Sequence, residues 1–116
     1  MRHADAAAVR DFPELAGLIL LRNSGWLFFP PRTADGELTE VDGFRDWPYG
    51  WIDAIRIRSR TDVMALRIDG HEPPGIVWEQ TGNLTQVIDG LLSLPAPDDR
   101  SAPRLVRASA PVLWTP

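Results

Sequence analysis

No cysteine and no lysine occur in the 116-residue chain, and all 12 of its basic residues are arginine. The missing cysteine excludes disulfides, thiolate metal sites and a thiol nucleophile, and argues against a small secreted disulfide scaffold. The missing lysine excludes Schiff-base chemistry and a phosphate-loop lysine. Long apolar runs are also absent. The densest, LAGLILL from Leu15 to Leu21, is far below the ~20 residues that cross a bilayer. Asp5, Asp11 and Glu14 stand before it, where a signal peptide carries a basic leader. Histidine is reduced to His3 and His71, and the nine glycines form no phosphate-binding pattern. No serine lies in a G-x-S-x-G frame, and no H-E-x-x-H occurs. No reaction is specified by any motif, and no cofactor is expected.

What is present is the composition of an ordinary soluble domain, with 44% apolar and 24% charged residues. The length suits one domain, which we take as residues 1–116, with a proline-rich C-terminal segment at about 95–116. A net charge of −4 and a pI near 5.0 argue against duplex nucleic acid, whose binding rests on neutralising phosphates. The expected setting is cytoplasmic, away from membranes.

Apolar spacing predicts the elements. Asp11 as N-cap, Pro13 in the first turn and Leu15, Leu18, Ile19 and Leu21 on one stripe predict a helix that Asn23-Ser24-Gly25 stops. A buried strand over 18–21 is the competing assignment. The stretch WLFFPP reads as an edge strand, because Pro30 and Pro31 cannot donate to a ladder. TADGE is a turn with Gly36 at positive φ, and ELTEV is its return strand. WIDAIRIRSRTDVMALRID reads as a hairpin. A tight loop at Arg60-Thr61 sets Ile57 opposite Met64, Ile55 opposite Leu66 and Asp53 opposite Ile68 on a core face. The other face then carries Ile52, Ala54, Arg56, Arg58, Val63, Ala65 and Arg67. IVWEQ returns with Ile76 and Trp78 on the core face. Leu84, Val87, Ile88, Leu91 and Leu92 mark a second helix, opened by an Asn83/Gln86 capping box and ended by Pro95. RLVRA reads as a short strand, and Val112, Leu113 and Trp114 as a docking tail. Together these predict an α+β fold: an antiparallel sheet with a meander at about 51–80 and helices on one face, a two-layer sandwich.

Candidate sites follow from this register. His71, with Asp69 and Glu72 close by, reads as a solvated Asp-Gly/Pro-Pro-Gly turn, or as a base or metal ligand. Asp53 points inward and needs a partner: an arginine or backbone N–H, or else a perturbed acid in a cleft. Residues 33–47 hold five acids and one arginine, and residues 54–68 hold four arginines and one aspartate, so charge is polarised along the chain. The arginine-bearing face is a solvated sheet surface or a partner surface. RDWPYGW, residues 45–51, is an inter-strand turn in which Trp51 packs on Leu66 or Ile68, while Trp47 and Tyr49 cap the core or anchor a ligand. The resulting expectation is a small acidic interaction module of the immunity, adaptor or accessory-subunit kind. It binds a protein partner, a second copy of itself included, through Arg56, Arg58, Arg67, Trp47 and Tyr49. The competing expectation is a small-molecule-binding protein or enzyme with a pocket near Trp47, Asp53 and His71.

Overall fold

The computed structural model describes residues 15–30 and 32–109. The expected cap at Asp11, Pro13, Glu14, His3 and the docking tail at Val112, Leu113 and Trp114 lie outside the described residues. The chain forms α1 (Leu15–Asn23), β1 (Leu27–Phe28), β2 (Arg32–Ala34), β3 (Glu37–Asp46), a 3-10 turn at Pro48–Gly50, β4 (Ile52–Ser59), β5 (Asp62–Ile68), β6 (Gly75–Gly82), α2 (Leu84–Ser93) and β7 (Ala108–Ser109). Seven strands make an antiparallel sheet in the order β1-β3-β4-β5-β6-β7, with β2 also on β3. Both helices pack together on one sheet face, so the α+β sandwich and its 51–80 meander stand.

The local signals act as expected. Residues 18–21 are helical, and Gly25 at φ 105 follows the end of α1. Asp35 and Gly36, at φ 54 and 78, make the two-residue turn between β2 and β3. Asn83 Oδ1 accepts the Gln86 N–H at 2.8 Å while Gln86 Oε1 accepts the Asn83 N–H at 3.1 Å, closing the capping box. Leu84, Val87, Ile88 and Leu91 are buried beneath α2, each worth roughly 1.5–3 kcal/mol of burial before entropy is subtracted. Leu92, expected in that stripe, is 45% exposed, because it lies past the edge of the contact. The C-terminal strand forms four residues later than RLVRA begins, at Ala108–Ser109 against Gly75 and Ile76.

The hairpin register differs from expectation by one residue. Ser59 pairs with Asp62, so the loop is Arg60-Thr61, but Arg58 is then left out of the ladder and Ile57 meets Val63. Below this bulge Ile55 faces Ala65, Asp53 faces Arg67 and Ile52 faces Ile68. A bulge inserts one unpaired residue and so reverses which partner residues share a face. Ile55 and Ile57 do look toward the helices. Their companions there are Val63, Ala65 and Arg67, while Leu66 and Ile68 turn to the far face. A second bulge at Val77 separates Trp78, on the helix side opposite Arg67, from Ile76, opposite Ile68 on the far side. Both faces therefore carry a buried apolar cluster. One core joins Leu21, Trp26, Ile55, Val63 and Ala65 to α2. The other gathers Ala54, Leu66, Ile68, Ile76 and the edge of Ile52.

Candidate functional site

The charge polarisation along the chain does not survive folding. Strands β3 and β4 are neighbours, with Asp42 opposite Arg56, so the acidic and basic stretches neutralise each other. Arg56 Nε lies 3.0 Å from Asp42 Oδ1 and 3.4 Å from Glu40 Oε1, and its side chain is only 11% exposed. Arg58 reaches Glu40 at 3.5 Å, and Arg32 Nη1 meets the buried Glu40 Oε2 at 3.1 Å without hydrogen-bond alignment. Of the arginines expected on an open face, Arg58 alone is exposed, at 56%. Arg67 is on the other face entirely and fully buried. A glutamate at position 56 would confront two carboxylates, so reversing Arg56 would disturb the sheet as well as its surface.

Arg67 forms the centre of a buried polar network on the helix side. Its Nε and Nη2 donate to Asp53 Oδ1 and Oδ2 at 2.6 and 2.9 Å, a two-pronged fit of planar fork to carboxylate. Its Nη1 donates to the Pro95 carbonyl at 2.6 Å, tying β5 to the segment after α2. The Trp47 indole N–H donates to Asp53 Oδ2 at 3.0 Å. Asp53 thus has the arginine partner that the sequence reading offered as one resolution. The Arg45 guanidinium covers the Trp47 ring at 4.0 Å from its centroid. The Arg67 guanidinium also lies 5.7 Å from that centroid, so Trp47 is held by its indole N–H and by two cations against its ring.

From this anchor the chain makes the RDWPYGW turn. The Trp47 N–H donates to the Trp51 carbonyl at 2.8 Å, and the enclosed residues form the 3-10 turn. Tyr49 is held at φ 65, a left-handed conformation that costs a non-glycine residue about 1–2 kcal/mol. Its side chain is 93% exposed. Trp51 is half-buried and turns to the pocket; it is not one of the residues of the core around Leu66 and Ile68. The open pocket has a volume of about 270 Å³ and is lined by Trp47, Pro48, Tyr49, Trp51, Pro97 and Asp98. Neither Asp53 nor His71 lines it. His71 is exposed, and its backbone N–H caps the Asp69 carboxylate, which also accepts the Gly75 N–H: the turn reading of this segment. Among the described residues no group of three or more histidine or acidic side chains is placed to hold a metal ion.

The far wall of the pocket is a short ordered turn. Ser101 donates its hydroxyl and then its backbone N–H to Asp99 Oδ1, at 2.7 and 2.9 Å, which holds the Asp99 carboxyl below the ordinary aspartate range. The folded-state value is depressed, so this contribution is present above the ordinary carboxylate value and is lost as pH falls through the folded one. Pro97 and Asp98 gave no signal as site residues in the sequence. Only the fold brings residues 97–98 to residues 47–51.

Gly70 buttresses the other side of the turn. A Cβ there would overlap the Tyr49 carbonyl oxygen and approach the Gly50 Cα at 3.4 Å. Gly70→Ala is therefore expected to shift the aromatic turn, costing roughly 1–3 kcal/mol as an overpacked site does. Thermal melts and tryptophan emission together check it. Values of both equal to wild type would show that the two loops are not in contact.

Arg58 and the pocket do not make one surface. They sit at opposite ends of β4, ~20 Å apart for a strand of this length. The chain matches no protein-family model, no curated protein and no solved structure. Among the described residues no helix is long and apolar enough to cross a membrane.

Proposed function

We propose that the protein is a non-catalytic interaction module, of the immunity, adaptor or accessory-subunit kind, that holds a protein partner at the pocket between the β3–β4 turn and the segment after α2. The observation that carries this reading is Tyr49: an aromatic ring almost wholly in solvent, on strained backbone, beside two further tryptophans. Strain of this kind persists where surrounding structure enforces it, and it collects at functional positions. Rigid aromatic rings on a fixed support are the side chains that dominate protein interfaces. Arg58 is too distant to share that contact, and Arg56 and Arg67 are committed within the fold.

Tyr49→Gly separates function from folding. Glycine accepts the left-handed backbone, so the melting temperature should hold or rise, by up to ~1 kcal/mol of stability. Affinity capture from host extract, compared across wild type, Tyr49→Gly and Arg58→Glu, should show partners reduced roughly tenfold or more by the first variant, as for an interface anchor. The second variant should leave them in place. Equal capture by Tyr49→Gly and wild type would remove the pocket as the contact site.

A further inference from the structure

Resting on that reading of the pocket, we infer that its occupant is an extended, proline-rich segment of the partner carrying an arginine or lysine, with the prolines against the aromatic rings and the cation at Asp98. Three features of the lining converge on this ligand. Its apolar part is all rings: Trp47, Tyr49 and Trp51 with Pro48 and Pro97. A lining of aromatic rings accepts the ridged surface of a polyproline helix, whose stiffness leaves little entropy to lose on docking.

The second feature is hydrogen-bond capacity. Trp47 spends its indole N–H on Asp53. The Trp51 indole and the Tyr49 hydroxyl have no hydrogen-bond partner among the described residues. A polyproline helix makes no internal hydrogen bonds, so its carbonyls stand free to accept from such donors. A partner helix or sheet strand offers few carbonyls not already bonded. A quaternary ammonium group could fill an aromatic cage, but it would leave both donors unused. A sugar could meet the same two donors and the carboxylate, but as a neutral ligand it draws nothing from the negative charge of the site.

The third feature is charge. Asp98 is the charged residue of the lining, and it has no ion-pair or hydrogen-bond partner among the described residues. Asp99 beside it turns its carboxylate back onto Ser101. One anion therefore faces the pocket in a chain of net charge −4, which favours a cationic ligand.

The test is titration of the full chain with synthetic peptides, followed by tryptophan fluorescence and by the indole N–H resonances in nuclear magnetic resonance spectra. The set contains a proline-rich peptide with arginine, the same peptide with glutamate for arginine, the same with alanine for each proline, a trimethyl-lysine peptide without proline, and a soluble oligosaccharide. The proline–arginine peptide should saturate and shift the Trp51 indole resonance, with the glutamate and alanine versions weaker by roughly tenfold or more. Trp51→Phe should weaken it about fivefold, the loss of one hydrogen bond. Asp98→Asn, at an exposed site, should erase the preference for arginine over glutamate while the melt stays unchanged. Failure of the proline–arginine peptide to bind at millimolar concentration overturns the inference. So does equal binding of the alanine version, or saturation by the trimethyl-lysine peptide or the oligosaccharide alone. If the peptides fail while capture still depends on Tyr49, the occupant is wrong and the contact site stands; if both fail, both readings fall.

Discussion

Replacing Asp53 with alanine should destabilise the protein by about 3–5 kcal/mol, the cost of leaving a buried charge without its counter-ion. Arg67 is 0% exposed, and without Asp53 its one remaining acceptor among the described partners is the Pro95 carbonyl. The Trp47 indole N–H would lose its acceptor in the same step. Against the 5–15 kcal/mol that typical domains hold in reserve, this is a large fraction. Urea denaturation should show the midpoint falling with little change in slope. Asp53→Leu combined with Arg67→Met should recover most of the loss, because apolar side chains of similar size remove both charges together. A single variant within 1 kcal/mol of wild type would mean that the network contributes nothing to stability.

The second large effect is expected at Ile88. It is 2% exposed in the middle of the α2 stripe, and it lies over Gly17 of α1 so closely that a Cβ on Gly17 would come within 2.7 Å of its Cγ2. Ile88→Asp places a carboxylate between the two helices and the sheet, where the buried Arg67 of the same sheet face is already committed to Asp53 and the Pro95 carbonyl. The variant should be unfolded by far-ultraviolet circular dichroism at room temperature. Ile88→Val, losing one methylene, should cost only about 0.5–1.5 kcal/mol and keep the fold. A melt of the aspartate variant that overlays wild type would take α2 out of the core.

Much of the architecture was legible because it rests on local chemistry. The capping box at Asn83 and Gln86, the period of Leu84, Val87, Ile88 and Leu91, the Asp35-Gly36 turn and the loop at Arg60-Thr61 each act within a few residues. The bulges at Arg58 and Val77 were not legible. Each concerns how two strands count against one another and shifts the phase of the bulged strand's own alternation, so that Ile76 and Trp78, two apart, end on opposite faces, which a period of two does not anticipate. Strand β5 hid its register for a further reason: Val63 to Ile68 is apolar at every position except Arg67, so both faces look like core. For the site, RDWPYGW was visible as a cluster of rings in a turn, and Asp53 as an inward carboxylate. The acidic and basic stretches were visible too, but their mutual cancellation depends on the pairing of β3 with β4. Pro97 and Asp98 join the pocket through contacts across some 50 positions of chain.

The Asp53–Arg67 pair also bears on how the chain avoids misfolding. A β4–β5 hairpin without the Arg58 bulge would keep the same loop and bury a comparable set of aliphatic side chains, so turn and hydrophobicity alone leave two alignments in competition. In the unbulged alignment Asp53 and Arg67 fall on opposite faces of the ribbon, and each enters a dry environment without its counterpart. The ion pair is thus satisfied in one of the two alignments only, and it disfavours the other, which apolar packing alone would tolerate.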